Sequence, residues 1–243
     1  MSPVRSFRFW AVTLAAVAGV AVTFALGHWQ LGRGQARDAL QAQVEQREKM
    51  PPLSPLSLLT PGAADRVHRL VVLRGTWEAK HTVFLDNRQM RGTPGFYVVT
   101  PLKLEGSDRY VLVQRGWAPR DFTRRENLPP VQTPAGVVEI QGRIAPPPAR
   151  LYELGPAGAG PIRQNLDIAA FRAETGLPLA DVSVLQTGPA ASEGLLRDWP
   201  RPASGSGKNY GYAFQWWALC ALIAILYVWF QFIAPRRTEP NAR

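Results

Sequence analysis

Residues 210–234 read YGYAFQWWALCALIAILYVWFQFIA, about 25 positions without a charged side chain. At ~1.5 Å per residue, a helix of this length reaches across the hydrocarbon core of a bilayer. Its apolar middle holds no Pro or Gly to break it. Tyr212, Trp216 and Trp217 gather near one end, and Tyr227 and Trp229 lie toward the other. Amphipathic rings take such places because they are most stable at headgroup level. Globular core helices seldom run this far without a charge, so the stretch is predicted to be a transmembrane helix.

A second uncharged run lies near the other end of the chain, at residues 9–27 (FWAVTLAAVAGVAVTFALG), preceded by Arg5 and Arg8. A cleavable signal peptide is the rival reading. Signal h-regions, however, span roughly 7–15 residues and end at a small-residue cleavage site. This run is longer and passes into the bulky His28-Trp29-Gln30-Leu31, which favours a retained anchor over residues 9–31. Arg236 and Arg237 follow the second run. Basic residues close to membrane ends stay in the cytoplasm. Short tails at 1–8 and 235–243 are therefore expected there, with everything between on the far side.

Two spans leave an outer domain large enough to bury a core of its own. The chain carries 28 basic and 18 acidic residues, a net charge of +10. Setting aside Arg5, Arg8, Arg236, Arg237, Arg243 and Glu239 leaves 23 basic and 17 acidic residues for the rest. Such a balance raises the question of nucleic acid. The arginines are nevertheless spread singly, without a Lys/Arg block or an aromatic-basic motif, and no nucleic-acid partner is expected. Anionic lipid headgroups or an acidic ligand suit this surface better. The single cysteine, Cys220, falls inside the second run, so the outer domain has neither a disulfide nor a thiolate metal site.

Between the runs, residues 32–65 read as a polar helix (37–49) followed by a linker, because residues 50–61 (MPPLSPLSLLTP) hold four prolines. Short β-type runs fill much of 66–199: residues 67–77, 82–85, 95–104, 109–117, 137–144 and 181–186. Glu105-Gly106-Ser107-Asp108 between two of them is a hairpin signal. Asp167 is a good N-cap for a helix over 168–175, which stops at Gly176. Strands linked by turns argue antiparallel pairing. The fold class expected is thus a membrane protein with two transmembrane helices flanking an α+β, mainly antiparallel β and barrel-like outer domain. Residues 155–160 and 200–209 read as connectors.

Catalytic constellations are lacking. His28, His68 and His81 have no metal-ligand spacing, and neither a GxSxG elbow nor a P-loop occurs. His68 and His81 flank strands and are expected to face solvent. His28 sits at the outer boundary of the first run, either as a plain interfacial residue or as an imidazole able to ligate haem iron. Asp86-Asn87-Arg88 suggests an Asx-type turn at a strand end. Arg115 in Arg115-Gly116-Trp117 interrupts an apolar strand and must face water or find a partner. That motif is either a lock within the fold or a partner contact.

These same residues carry a resemblance. Residues 27–33 (GHWQLGR), Asp86-Asn87-Arg88 with 94–101 (PGFYVVTP), 111–119 (VLVQRGWAP), Asn165-Leu166-Asp167 and 212–216 (YAFQW) follow in order. Together they resemble the surfeit locus protein 1 family, membrane proteins that assist assembly of cytochrome c oxidase. The resemblance implies no enzymatic turnover. It implies delivery or retention of haem a while the oxidase catalytic subunit is built, at a bacterial inner membrane, with that subunit and haem a supply proteins as partners. The haem-handling residues expected are His28, Trp29, Arg33, Lys208, Trp216 and Trp217; Arg88, Arg115 and Trp117 are expected to meet the partner. Family members often carry a histidine three places before the Tyr-Ala block, where this chain has Asn209. The alternative is a purely structural chaperone of an oxidase subunit that does not touch haem.

Overall fold

The two uncharged runs form two helices, and the segment between them forms a sheet. The computed structural model describes residues 7–124, 127–152, 160–188, 193–200 and 205–234. Its elements in chain order are α1 (Phe7–Glu48), β1 (Leu70–Trp77), β2 (Val83–Met90), β3 (Thr93–Leu104), β4 (Tyr110–Pro119), β5 (Val137–Ala145), β6 (Ile162–Arg163), α2 (Ile168–Thr175), β7 (Leu179–Gln186) and α3 (Ser206–Val228). A wider π turn at Trp229–Ile233 continues α3. The chain divides into two units, Met1–Gln43 with Arg201–Arg243, and Val44–Pro200. The tail residues Arg5, Arg236, Arg237 and Arg243 lie outside the described residues, as do most of the expected connector at 155–160 and part of that at 200–209.

In the helical unit, α1 carries the anchor on into the polar helical stretch without a break. Its Gln-, Arg- and Glu-rich second half is made of good helix formers, and Pro51-Pro52 ends it. Both helices are long and apolar enough to cross a membrane, with mean hydropathy of 2.1 and 2.0 over their most apolar windows. The two lie antiparallel: Thr13 Oγ1 is 2.8 Å from Tyr227 Oη, and the Cys220 thiol lies 3.6 Å from the Val20 carbonyl. Shielded positions alternate every three and four residues on both helices, at Thr13, Ala16, Val20, Thr23, Gly27, Gln30 and Gly34, and at Asn209, Ala213, Trp216, Cys220, Ile223 and Tyr227. That is the seam of two helices packed along their length.

Among the described residues, the Val44–Pro200 unit is built on one seven-stranded sheet in the order β1-β5-β7-β4-β3-β2-β6. Its β3–β4 hairpin turns at the expected tetrad, with Gly106 at φ 71°. Arg91 and Gly92, both at positive φ, close the β2–β3 hairpin as a two-residue turn. β3 also pairs back with β1 through Gly75–Trp77, giving a circuit β1-β5-β7-β4-β3-β1. β2 and β6 run on outside that circuit, and the sheet is mixed rather than mainly antiparallel throughout. Five pairings are antiparallel; β2–β6 and β4–β7 are parallel. The second parallel pair follows from α2, whose helix brings the chain back for β7 to lie along β4. Asp167 caps α2 by accepting from Ala170 N–H at 2.9 Å, and Gly176 ends it at φ 71°.

Val71, Leu73, Leu102, Val111, Val113, Ile144, Val182 and Val184 fill the centre of the sheet. The proline-rich stretch belongs to this core and is not a free linker. Short 3-10 turns at Pro55–Leu58 and Ala63–Arg66 drive Leu58 and Ala63 into it, and Leu53 bridges to Val71. Proline excludes an α-helix there, but it leaves single tight turns open. Burying the Leu58 side chain contributes about 1.5–3 kcal/mol.

Candidate functional site

Where α1 and α3 meet beyond their apolar stretches, the seam changes from apolar to polar. Gly27 faces the Trp217 indole so closely that a Cβ there would collide with the ring, and a Cβ on Gly34 would lie 2.8 Å from Tyr210 Cε1. Next to these contacts, Asn209 is buried. Its amide nitrogen donates to Gln30 Oε1 at 2.8 Å, and its Oδ1 accepts from Arg37 Nη1 at 3.0 Å. Tyr210 Oη donates to Asp38 Oδ2 at 2.5 Å. Hydrogen bonds from Ser206 and Tyr210 hold the Asp38 carboxyl below the ordinary aspartate range. Arg37 also reaches the Gly205 carbonyl at 3.3 Å. The result is a polar clasp that fixes the register of the two helices.

The residues expected to handle haem divide between two faces. Trp216 lies in the seam and Trp217 covers Gly27. With ~100° between successive helical residues, His28 and Trp29 turn away from that seam, and both are exposed. Arg33, one turn further on, stacks over Trp29 at 5.3 Å. Lys208 is exposed at the start of α3. Trp29 and Trp216 therefore do not face each other across one cavity, and Asn209 has both ends of its amide occupied. As a set, these six side chains do not fit around one haem plate. Trp29 and Arg33 remain together on the outward side of α1, with His28 exposed on the adjoining face.

The three expected partner residues are interior, because each is bonded within the sheet unit. Arg115 is fully buried: its guanidinium donates to Thr133 Oγ1 and to the Gln132 carbonyl, each at 2.7 Å, and lies 4.6 Å over the Trp77 ring. Glu193 neutralises it at 3.3 Å. Burial pulls the Arg115 pKa down, and Glu193 opposes this. Glu193 also bonds Arg197, whose Nε donates to the Arg115 carbonyl at 2.8 Å. Leu196 pairs with Trp117, so residues 195–197 lie along β4. Gly116 makes room for them, since a Cβ there would be 2.7 Å from Leu195 Cβ. Trp117, 4% exposed, donates from Nε1 to the Arg88 carbonyl at 2.8 Å. Arg88 donates to the carbonyls of Ala149 and Gln164, each at 2.8 Å. Arg88, Arg115 and Trp117 thus lie inside the sheet unit rather than on its surface.

Three further expectations change. Asp86-Asn87 lies inside β2, where the register shifts between Leu85 and Arg88. It is a bulge rather than a strand-end turn, with Asn87 at φ 58°, a region asparagine tolerates better than most residues. His81 packs edge-on to Phe171 at 6.5 Å, and His68 is likewise half-buried, so neither simply faces solvent. The clasp residues Gln30, Arg37, Asp38 and Tyr210 were missed, although their three-four spacing continues that of the apolar seam. Nothing local in the sequence marks Glu193 as the counterion of Arg115.

Comparison with known proteins places the chain among relatives. A family model described as the SURF1 family matches residues 17–221. The chain is 26% identical to a SURF1-like protein of Drosophila melanogaster, over 89% of this chain and 75% of that protein. It is 29% identical to the cytochrome oxidase assembly protein SHY1 of Saccharomyces cerevisiae over 40% of this chain and 25% of that protein. It is also 29% identical to surfeit locus protein 1 of Arabidopsis thaliana, over 48% and 36% respectively. The family match takes in part of each apolar helix and all of the sheet unit between them, and the chain belongs to the SURF1 family.

Proposed function

We propose that this chain is a membrane-embedded assembly factor for cytochrome c oxidase that holds an oxidase subunit during its biogenesis. The observation that carries the reading is the family match over 17–221, together with one similar protein being named for cytochrome oxidase assembly. In this reading α1 and α3 cross a bacterial inner membrane and the Val44–Pro200 unit stands in the periplasm. The exposed apolar faces of the two helices meet lipid or the transmembrane part of the client. Holding a client requires no turnover, and the arginine ties keep the sheet unit rigid while it does so. Full-length protein extracted in mild detergent is expected to co-purify the oxidase catalytic subunit, and cells lacking the chain to contain less mature oxidase. Unchanged oxidase content together with empty purifications would remove the proposal.

Haem a delivery or retention is the second reading. Trp29, the Arg33 stacked on it and His28 on the adjoining exposed face of α1 offer an aromatic face, a cation for a propionate and an imidazole. A Soret band in the purified protein that disappears in His28→Ala favours this reading; protein without such a band from haem-replete cells favours client holding alone.

A further inference from the structure

The seam with α1 uses one side of α3, through Asn209, Ala213, Trp216, Cys220, Ile223 and Tyr227. At ~100° per residue, the opposite side carries Gly211, Gln215, Ala218, Leu222 and Ile225. These recur every four and three residues, as the seam positions do, and all five are exposed in the single chain. Two of them do not suit a surface that meets only lipid tails. The first is Gln215. Polar groups on the α1 side of the span are engaged: Tyr227 Oη lies 2.8 Å from Thr13 Oγ1, and the Cys220 thiol 3.6 Å from the Val20 carbonyl. The Gln215 amide offers two donors and an acceptor, and it is exposed on the far side of the helix from them. Inside a bilayer such an amide is satisfied by a neighbouring helix. The second is Gly211. Glycine is the poorest helix former after proline, and elsewhere in this unit it allows close contact, Gly27 under Trp217 and Gly34 under Tyr210. A Cβ on Gly211 would meet nothing within 4 Å. Its own chain gives no packing reason for a glycine there, whereas a second backbone coming close does.

We propose that this face of α3 is a contact between two copies of the chain, paired through Gly211, Gln215 and Ala218 about a two-fold axis along the membrane normal. A second copy is the occupant that the chemistry selects. Copies inserted in one bilayer run the same way, so Gln215 of each lies at the same depth. A carboxamide is its own complement, donating through nitrogen and accepting through oxygen, and two of them close a reciprocal pair. Glycine and alanine one turn to either side of Gln215 let the two backbones approach closely enough for it. A contact that repeats one patch on both partners closes at two chains. Each copy keeps its own α1 seam, because the pairing uses the side of α3 turned away from α1. The inference rests on α3 crossing the membrane and not on the client-holding role.

The test uses the full chain in its membrane, with Cys220→Ala removing the native thiol. Single cysteines are then introduced by Ala218→Cys and Leu222→Cys on the proposed contact, and by Ala221→Cys and Ala224→Cys on other sides of α3. A short bifunctional thiol reagent is expected to link two chains through position 218 or 222 and to give little product from 221 or 224. Energy transfer between labelled chains in liposomes, at falling protein-to-lipid ratio, measures the association itself. Gln215→Leu is expected to weaken pairing about three- to tenfold. Gln215→Asn, which keeps the carboxamide, is expected to retain part of it, and Gly211→Leu to weaken it further. Equal yields at all four positions, or a Gln215→Leu variant that pairs like the parent, overturn the proposal. A product joining Ala218→Cys to a different protein, in place of the doubled chain, overturns it as well and makes that protein's helix the occupant. Failure of the membrane reading shows separately, as release of the chain from membranes by an alkaline wash, and it removes the proposal with it.

Discussion

Trp117 ties three parts of the sheet unit together: its indole reaches the Arg88 carbonyl, its backbone pairs with Leu196, and its ring packs with Met90 and Trp199. Trp117→Ala is therefore expected to destabilise the unit by about 3–5 kcal/mol. Trp117→Phe keeps most of the packing and strands the Arg88 carbonyl, for about 1–3 kcal/mol. Denaturant unfolding followed by tryptophan fluorescence distinguishes the two, and an unshifted midpoint for the alanine variant would contradict the lock. His68 gives a pH prediction. Its folded-state pKa is depressed, so the unfolded chain takes up the proton first as pH falls through about 6.5. The stability this contributes is complete above that pH and is lost as pH drops toward the folded value. His68→Asn, which still tolerates the positive φ of this position, is expected to flatten the fall in midpoint between about pH 7.5 and 5.5. An unchanged slope would assign it to other groups. The sequence already shows that a charge inside an apolar strand needs a partner, which is how Arg115 stands out. It does not show which partner, because Glu193 is 78 positions away and only the folded strap brings it back.

At the level of elements, the parts readable from sequence are those set by local chemistry. Asp167 and Gly176 bound α2 because capping acts within one turn, and Gly106 turns the β3–β4 hairpin for the same kind of reason. The polar half of α1 continues the anchor because it is made of good helix formers and no breaker separates the two halves. The parallel β4–β7 pair was not legible, since pairing is decided by what α2 packs against. The α1–α3 seam is testable with the one native cysteine. Val20→Cys places a second thiol beside Cys220, and bifunctional thiol reagents are expected to crosslink the two within one chain, whereas Val17→Cys, on an exposed face, is expected to react poorly. Adding Gly27→Leu, which forces Trp217 outward, is expected to reduce the Val20→Cys yield. Equal yields from positions 17 and 20 would mean the seam lies elsewhere.

For the whole molecule, orientation follows from weighing two sets of cations. Arg5 and Arg8 precede the first apolar run, and Arg236, Arg237 and Arg243 follow the second. Arg33, Arg37 and Lys208 lie near the opposite ends of the same runs, so a bare count near the membrane does not decide the matter. Loop length does. Positive charges hold back short loops and tails, whereas a loop beyond about 60 residues is translocated largely regardless of its charge. The segment between the runs exceeds that length about threefold. Two of its nearby cations are also engaged: Arg33 stacks on Trp29, and Arg37 is bonded in the Asn209 clasp. Both ends of the chain are therefore expected in the cytoplasm and the sheet unit on the far side. Alkaline phosphatase and green fluorescent protein fused after Gly205 and after Arg243 test this in intact cells. Phosphatase activity is expected only at Gly205 and fluorescence only at Arg243. The same reporter active at both sites would mean that α3 does not cross, and the reverse pattern would mean that the cations of the large loop outweigh those of the tails.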